Sequence, residues 1–189
     1  MRHPFLSSKR LEFYPLDASF LSERYISWLN DEEVCRYNRH HIYPYTLEQA
    51  QNYIQNVTQN ASEIVLAIVE KASRLHIGNV ALQKIDLINR NADISILIGD
   101  KSSWGNAYAA EAMRTLMAHG FEQLNLHRIY CGTSSDNQAM QKVAKNLGMK
   151  EEGRRREVIL RHSVYYDQID YGILKEEFNL LKMSPHDQQ

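Results

Sequence analysis

Gly99-Asp-Lys-Ser-Ser-Trp-Gly-Asn-Ala-Tyr-Ala-Ala-Glu-Ala112 joins a strand to a helix, and the rest of the chain is arranged around that join. The run before it, Asp93-Ile-Ser-Ile-Leu-Ile98, is dense in β-branched residues, while Ala110, Met113, Leu116, Met117 and Phe121 recur near helical spacing. Between them lies a loop of small and polar residues. A strand that feeds such a loop into a helix start presents free backbone N–H groups at the positive end of a helix dipole, which is an anion site. An ordinary strand–turn–helix connection is the plainer reading of the same segment.

Working outward, 189 residues with 43% hydrophobic and 24% charged side chains predict one globular unit with its own core. A net charge of −1 gives no general attraction to nucleic acid or to an anionic membrane. The basic run Arg154-Arg-Arg156 reads as a solvated turn. Cys35 and Cys131 stand far apart without a C-x-x-C partner, so neither metal ligation nor a disulfide framework is expected. No segment has the length of a membrane span or the form of a signal peptide, and the expected location is cytoplasmic.

Upstream, Leu11–Leu16 alternates as a first strand, with Pro15 suited to an edge. Phe20, Leu21, Tyr25, Trp28 and Leu29 predict a helix from Asp17 to about Asn30, and Val34–Tyr45 reads as a loop. Thr46-Leu-Glu-Gln49 has the form of a capping box and opens a second helix to about Val57. The apolar run Ile64–Val69 predicts a strand covered on both faces, and 77–85 and 92–98 pair as a hairpin. Downstream, 127–133 is a strand, a helix starts at Asp136-Asn-Gln-Ala139 and is closed by Gly148, and the last strands are 158–166 and 168–174. The fold class is therefore α/β with a mixed sheet, ordered strand, two helices, three strands, helix, strand, helix, two strands. One domain is expected over 9–178, with 1–8 and 182–189 as flexible termini.

With this order in place, the chain resembles the GCN5-related N-acetyltransferase (GNAT) superfamily, and within it the RimJ/RimL-type group. The family's acetyl-CoA loop, Arg/Gln-x-x-Gly-x-Gly/Ala, falls on Trp104-Gly-Asn-Ala-Tyr-Ala109, followed by the usual Glu-Ala at Glu111-Ala112. Trp28-Leu-Asn-Asp-Glu-Glu-Val34, His127-Arg-Ile-Tyr130, Asp136–Met149 with Glu152-Gly153, and Tyr166–Glu177 resemble further segments of the group, in the right order.

The resemblance implies acetyl-CoA as co-substrate, with its pyrophosphate on the loop at Trp104, Gly105, Asn106, Ala107, Tyr108 and Ala109. It implies the pantetheine arm beside Ile96, Leu97 and Ile98, and a cofactor contact at Asn137. Lys142, one turn on, is a phosphate partner or a solvated helical lysine. The loop departs from the pattern at Ala107, whose methyl is tolerated if the backbone there keeps negative φ and otherwise crowds the phosphates.

Acetyl transfer to an amine needs a base for the amine and an acid for the thiolate. The family's usual acid positions fall on Met140 and Ala144, which carry no proton. Asp93 is the base candidate, with a solvated hairpin-end carboxylate as the plainer reading; Tyr166 leads the acid candidates, beside Tyr165 and Tyr108. Arg36, Tyr37, Arg39, His40 and His41 lie in the loop that covers the acceptor in this fold, and adjacent histidines lack metal-ligand spacing. The expected acceptor is a protein N-terminal amine or a small-molecule amine, followed by a nucleotide-linked amino sugar and then a polyamine. A non-catalytic CoA-binding module is the rival from another class. No metal, nucleic acid or membrane partner is expected, and a homodimer is possible in this fold.

Overall fold

The structure, a computed structural model, describes residues 3–183. In chain order the elements are β1 (Leu6–Ser7), β2 (Leu11–Pro15), α1 (Glu23–Leu29), α2 (Leu47–Gln59), β3 (Ile64–Glu70), β4 (His76–Asp86) and β5 (Asn91–Ile98). These are followed by α3 (Tyr108–Glu122), β6 (Arg128–Ser134), α4 (Gln138–Asn146), β7 (Lys150–Arg161), β8 (Val164–Leu174) and α5 (Lys175–Met183). The strands form one sheet in the order β1-β2-β3-β4-β5-β6-β8-β7. Every neighbouring pair is antiparallel except β5 and β6. This is the mixed α/β architecture read from the sequence.

Two apolar clusters sandwich the sheet. On one face Ala112, Met113, Leu116, Met117 and Phe121 of α3 bury against Leu66, Leu82, Ile94 and Ile129, with Ala144 of α4 and Phe178 of α5 in the same cluster. On the other, Tyr25, Trp28 and Leu29 of α1 and Ala50, Ile54 and Val57 of α2 cover Val65, Ala67 and Ala81. β3 is thus covered on both faces, which is why its sequence is continuously apolar. The second pair of helices reaches only as far as β5, so the β6–β8–β7 half of that face lies open.

Several boundaries differ from the sequence reading. The single helix predicted from Asp17 breaks into a 3-10 turn at Ala18–Phe20, capped by Asp17, and α1, capped by Ser22. Each cap side chain accepts a hydrogen bond that starts its own segment, and Leu21 between them is extended. The last two strands are not 158–166 and 168–174 but a long hairpin, 150–161 and 164–174. Its turn is made by His162 (φ 47°) and Ser163 (φ 63°), both left-handed as a two-residue hairpin requires, without the Asn-Gly signature that would announce it. Arg154 and Arg155 belong to strand β7 rather than to a solvated turn, because Asp167 and Asp170 across the ladder meet them at 3.0 Å.

Of the start expected to be flexible, 1–8, the part from Phe5 to Ser8 is ordered, and residues 1 and 2 lie outside the described residues. Leu6 and Ser7 pair with Phe13 and Glu12, and the Phe5 amide donates to the Phe13 carbonyl. Pro15 lies at the end of β2 beyond that pairing, where its missing N–H costs nothing. Of the tail expected to be flexible, residues 184–189 lie outside the described residues.

Candidate active site

Among the described residues β5 and β6 are the only parallel neighbours, and they pair only at Asn91–Arg128, Ala92–Ile129 and Asp93–Tyr130. Beyond Asp93 they separate into a V. The Gly99 and Asp100 amides both turn back to the Ile77 carbonyl in β4 (2.9 and 3.1 Å), so strand alternation directs the backbone groups of Ile96 and Ile98 away from β4, into the V. Leu97 does the reverse, pairing with Asn79 and packing its side chain on the α1–α2 cluster. The Ile98 carbonyl accepts the Trp104 indole N–H at 2.8 Å, which folds the loop back over the strand end. Gly99 makes the close approach possible, since a Cβ there would stand 2.0 Å from the Trp28 ring.

The loop then delivers α3. Gly105 is left-handed (φ 79°) with open space beside it, and Ala107, the N-cap, is left-handed too (φ 58°). The negative φ under which its methyl would be free of strain is therefore not what the backbone adopts. Side chains cap α1, α2 and α4, through Ser22, Thr46 with its Gln49 capping box, and Asn137. α3 has no such cap, and its first intrahelical bond is Glu111 N–H to Ala107 C=O, so the amides of Ala107, Tyr108, Ala109 and Ala110 have no acceptor in the helix.

The other side of the loop is fastened down. Glu111 accepts from Ser8 Oγ (2.7 Å), the Arg10 amide (2.8 Å) and Arg10 Nε (2.6 Å), and Arg10 also donates to the Asn106 carbonyl at 2.9 Å. Arg10 stacks over the Tyr108 ring, whose hydroxyl donates to Glu70. That hydrogen bond raises the Tyr108 pKa and turns the hydroxyl toward β3, on the side away from the V, which removes Tyr108 from the acid candidates. Arg10 carries no sequence signal for this role, because the contact spans about a hundred residues.

Across the V, Asn137 is buried at the start of α4; its side-chain oxygen accepts the Met140 amide (3.1 Å) and its amide donates to Thr133 Oγ1 (3.0 Å). Lys142 points from α4 into solvent. Asp93, Tyr130, Asp170 and Tyr166 share the open face of the sheet by register and alternation. Lys84 Nζ holds Asp93 Oδ2 at 2.9 Å. Arg128, Tyr130, Glu152, Arg155 and Asp170 line a cavity of about 330 Å³ beside it. Tyr130 was missed by the sequence reading, since only the parallel register sets it against Asp93.

The structure does not bring Asp93 and Tyr166 together. Tyr130 pairs with Gly172, and Tyr166 lies six residues further along β8, about 20 Å toward the mouth of the V at ~3.3 Å per residue. Tyr165 faces the opposite side of the hairpin and is exposed. At the mouth, Tyr166 lies under the Arg161 guanidinium (4.4 Å), which also covers Tyr37 (5.0 Å). Of the other acceptor-loop residues, the Arg36 carbonyl accepts from Arg161 (2.8 Å) and the His40 ring packs on Tyr45, its pKa lowered by burial. Arg39 and His41 are exposed or nearly so. Asn30 ties the end of the loop through both its amide and carbonyl to Tyr45. No group of three or more metal-ligating side chains occurs among the described residues, and no helix among them is long and apolar enough to cross a membrane.

A sheet split between two parallel strands, with an uncapped helix N-terminus at the split, defines a site for an extended molecule carrying an anionic group. The family described as "Acetyltransferase (GNAT) domain" matches residues 10–150, and the chain belongs to that family. It is 29% identical over 153 residues to an uncharacterized N-acetyltransferase, p20, of Bacillus licheniformis, covering 79% of this chain and 84% of that one. Among solved structures it resembles a spermidine N-acetyltransferase from Vibrio cholerae in complex with CoA and spermine (TM-score 0.81, 22% identity, 91% and 99% of the two chains). It also resembles RimL, a ribosomal L7/L12 alpha-N-protein acetyltransferase in complex with coenzyme A (TM-score 0.79, 20% identity, 88% and 95%). The protein is an enzyme, an N-acetyltransferase.

Proposed function

We propose that this enzyme uses acetyl-CoA to acetylate a primary amine by direct attack, and that the acceptor is a protein N-terminal amine, as in the RimJ/RimL-type group. The observation that carries the reading is the uncapped α3 N-terminus beside the free edge of β5. The amides of Ala107 to Ala110, with Gly105 and Asn106 in the loop, would hold the pyrophosphate, and the backbone of Ile96 and the amide of Ile98, whose carbonyl is taken by Trp104, would hold the pantetheine amides. Asn137 flanks the mouth. Bound there, acetyl-CoA supplies the activated acyl group.

The chain's own contribution is position and proton transfer. Asp93 has one carboxylate oxygen engaged by Lys84, and no partner is recorded for the other among the described residues, so it can accept the amine's proton. Tyr166, about 20 Å away at the mouth, is beyond the reach of a hydrogen bond or one bridging water and does not serve the same reacting centre. Asp93 is therefore the one proton-transfer residue of this reading, and the departing thiolate takes its proton from water.

The charge pattern favours an N-terminal amine over a polyamine. Asp93, Glu152, Asp170 and Asp136 each already pair with a lysine or arginine, so these carboxylates around the open face are committed and do not favour several ammonium groups there. The spermidine acetyltransferase likeness keeps a polyamine as the competing acceptor.

The test is a calorimetric titration with acetyl-CoA, with Ala107→Arg as the blocked-loop control, followed by a thiol-release screen over an alanine-initiated peptide, spermidine and an amino sugar. Binding lost in the control and turnover of the peptide are the expected results; binding without turnover of any amine would favour a CoA-binding module. Asp93→Asn should lower turnover about 100-fold or more while leaving acetyl-CoA affinity unchanged, and an active variant would remove Asp93 from the mechanism.

A further inference from the structure

We infer that Arg161 is a positioning residue that sets the acceptor loop against the cofactor-side helix, an assignment that rests on the function proposed above. Arg161 stands at the tip of the β7–β8 hairpin, 125 residues from Arg36. Its guanidinium donates to both carboxylate oxygens of Asp136 at 2.7 Å and to the Arg36 carbonyl at 2.8 Å. It also lies over the rings of both Tyr37 and Tyr166 (5.0 and 4.4 Å). Tyr37 completes the clasp by donating its hydroxyl to the Asp136 carbonyl at 3.3 Å. The Arg161 side chain is only 16% exposed, unlike most of the surface ion pairs on this molecule.

One side chain thereby joins three parts of the site. Asp136 immediately precedes Asn137, the cap of α4; Arg36 and Tyr37 belong to the loop between α1 and α2; Tyr166 is on β8. A planar group with a fixed fork of donors and two stacking faces suits this, whereas an ammonium can meet Asp136 but cannot also reach the carbonyl and both rings. Burial opposes the charge on Asp136, but the Ser134 hydroxyl and the Arg161 guanidinium prevail and hold its carboxyl below the usual range. The clasp therefore stays charged at neutral pH.

Wild type, Arg161→Ala, Arg161→Lys and Asp136→Asn are compared by amide hydrogen exchange over residues 34–45, by acetyl-CoA calorimetry, and by turnover of whichever amine of the screen the wild type accepts. Arg161→Ala should speed exchange at residues 36–39 at least about tenfold and raise the acceptor KM by a similar factor, with acetyl-CoA affinity within about twofold. Lysine should recover part of both effects. Unchanged loop exchange in a folded Arg161→Ala overturns the inference, as does an equal loss of acetyl-CoA affinity and acceptor KM. If Arg161→Ala fails to fold, Asp136→Asn gives the same reading with the same two outcomes. If no amine is turned over, loop exchange alone decides for or against the clasp, separately from the failure of the proposed function.

Discussion

Ala107 carries a methyl group where the backbone is left-handed (φ 58°). An L-residue there costs about 1–2 kcal/mol, and glycine avoids that at an entropic cost of about 0.5–1 kcal/mol. Ala107→Gly should therefore raise thermal stability by roughly 0.5–1 kcal/mol, a few degrees in a melt, and should tighten acetyl-CoA binding if the methyl also crowds the phosphates. The departure from the glycine pattern was visible in the sequence; the sign of φ was not, because it depends on how Trp104 and Arg10 fold the loop. The two cysteines are simpler. Burial pushes the Cys131 thiol up to about 12 and raises that of Cys35, so neither should react with alkylating reagents until the protein unfolds, as a thiol titration with and without denaturant would show.

At the scale of elements, α4 depends on a single side chain for its start. Asn137 caps the helix and ties it to Thr133 on β6, so Asn137→Ala should cost about 0.5–2 kcal/mol, measurable as a lower urea midpoint. That cap could be read from Asp136-Asn-Gln, as the α2 capping box could be read from Thr46-Leu-Glu-Gln49, because capping is decided within four residues. The β7–β8 hairpin could not be read in the same way. Its arginines look solvated until their partners Asp167 and Asp170 are known, and its turn uses His162 and Ser163 in place of a glycine. For the same reason Arg161 was invisible as a site residue: its partners are set by the length of a hairpin whose limits the sequence misplaced. Tyr108 and Tyr165 were wrongly grouped with Tyr166 because a run of residues shows its types but not which face each takes.

For the molecule as a whole, acid should weaken the fold before any carboxylate titrates. Burial lowers the pKa of His76, held between Phe20, Tyr25 and Trp28, and of His40 and His119. The unfolded chain then binds more protons than the native one as pH falls through the ordinary imidazole value near 6.5, so stability falls from there and levels off only below the depressed native values. Urea midpoints between pH 8 and pH 5 should show that slope, and His76→Asn should reduce it. The order of elements from β2 to β8, with the central loop, was accessible from hydrophobic period and caps; β1 and α5, which stand where a flexible start and a tail were read, were not, nor was the open half of one sheet face, which reflects where α1 and α2 stop. The sheet itself is two halves joined through β5 and β6 by three residue pairs. If acetyl-CoA lies in that seam, it closes a gap the polypeptide leaves open, and mass action then makes heat resistance a function of metabolite supply. At a hundredfold excess over its Kd the gain is about 2.7 kcal/mol, so a molecule in acetyl-CoA-rich surroundings outlasts an identical one in starved surroundings.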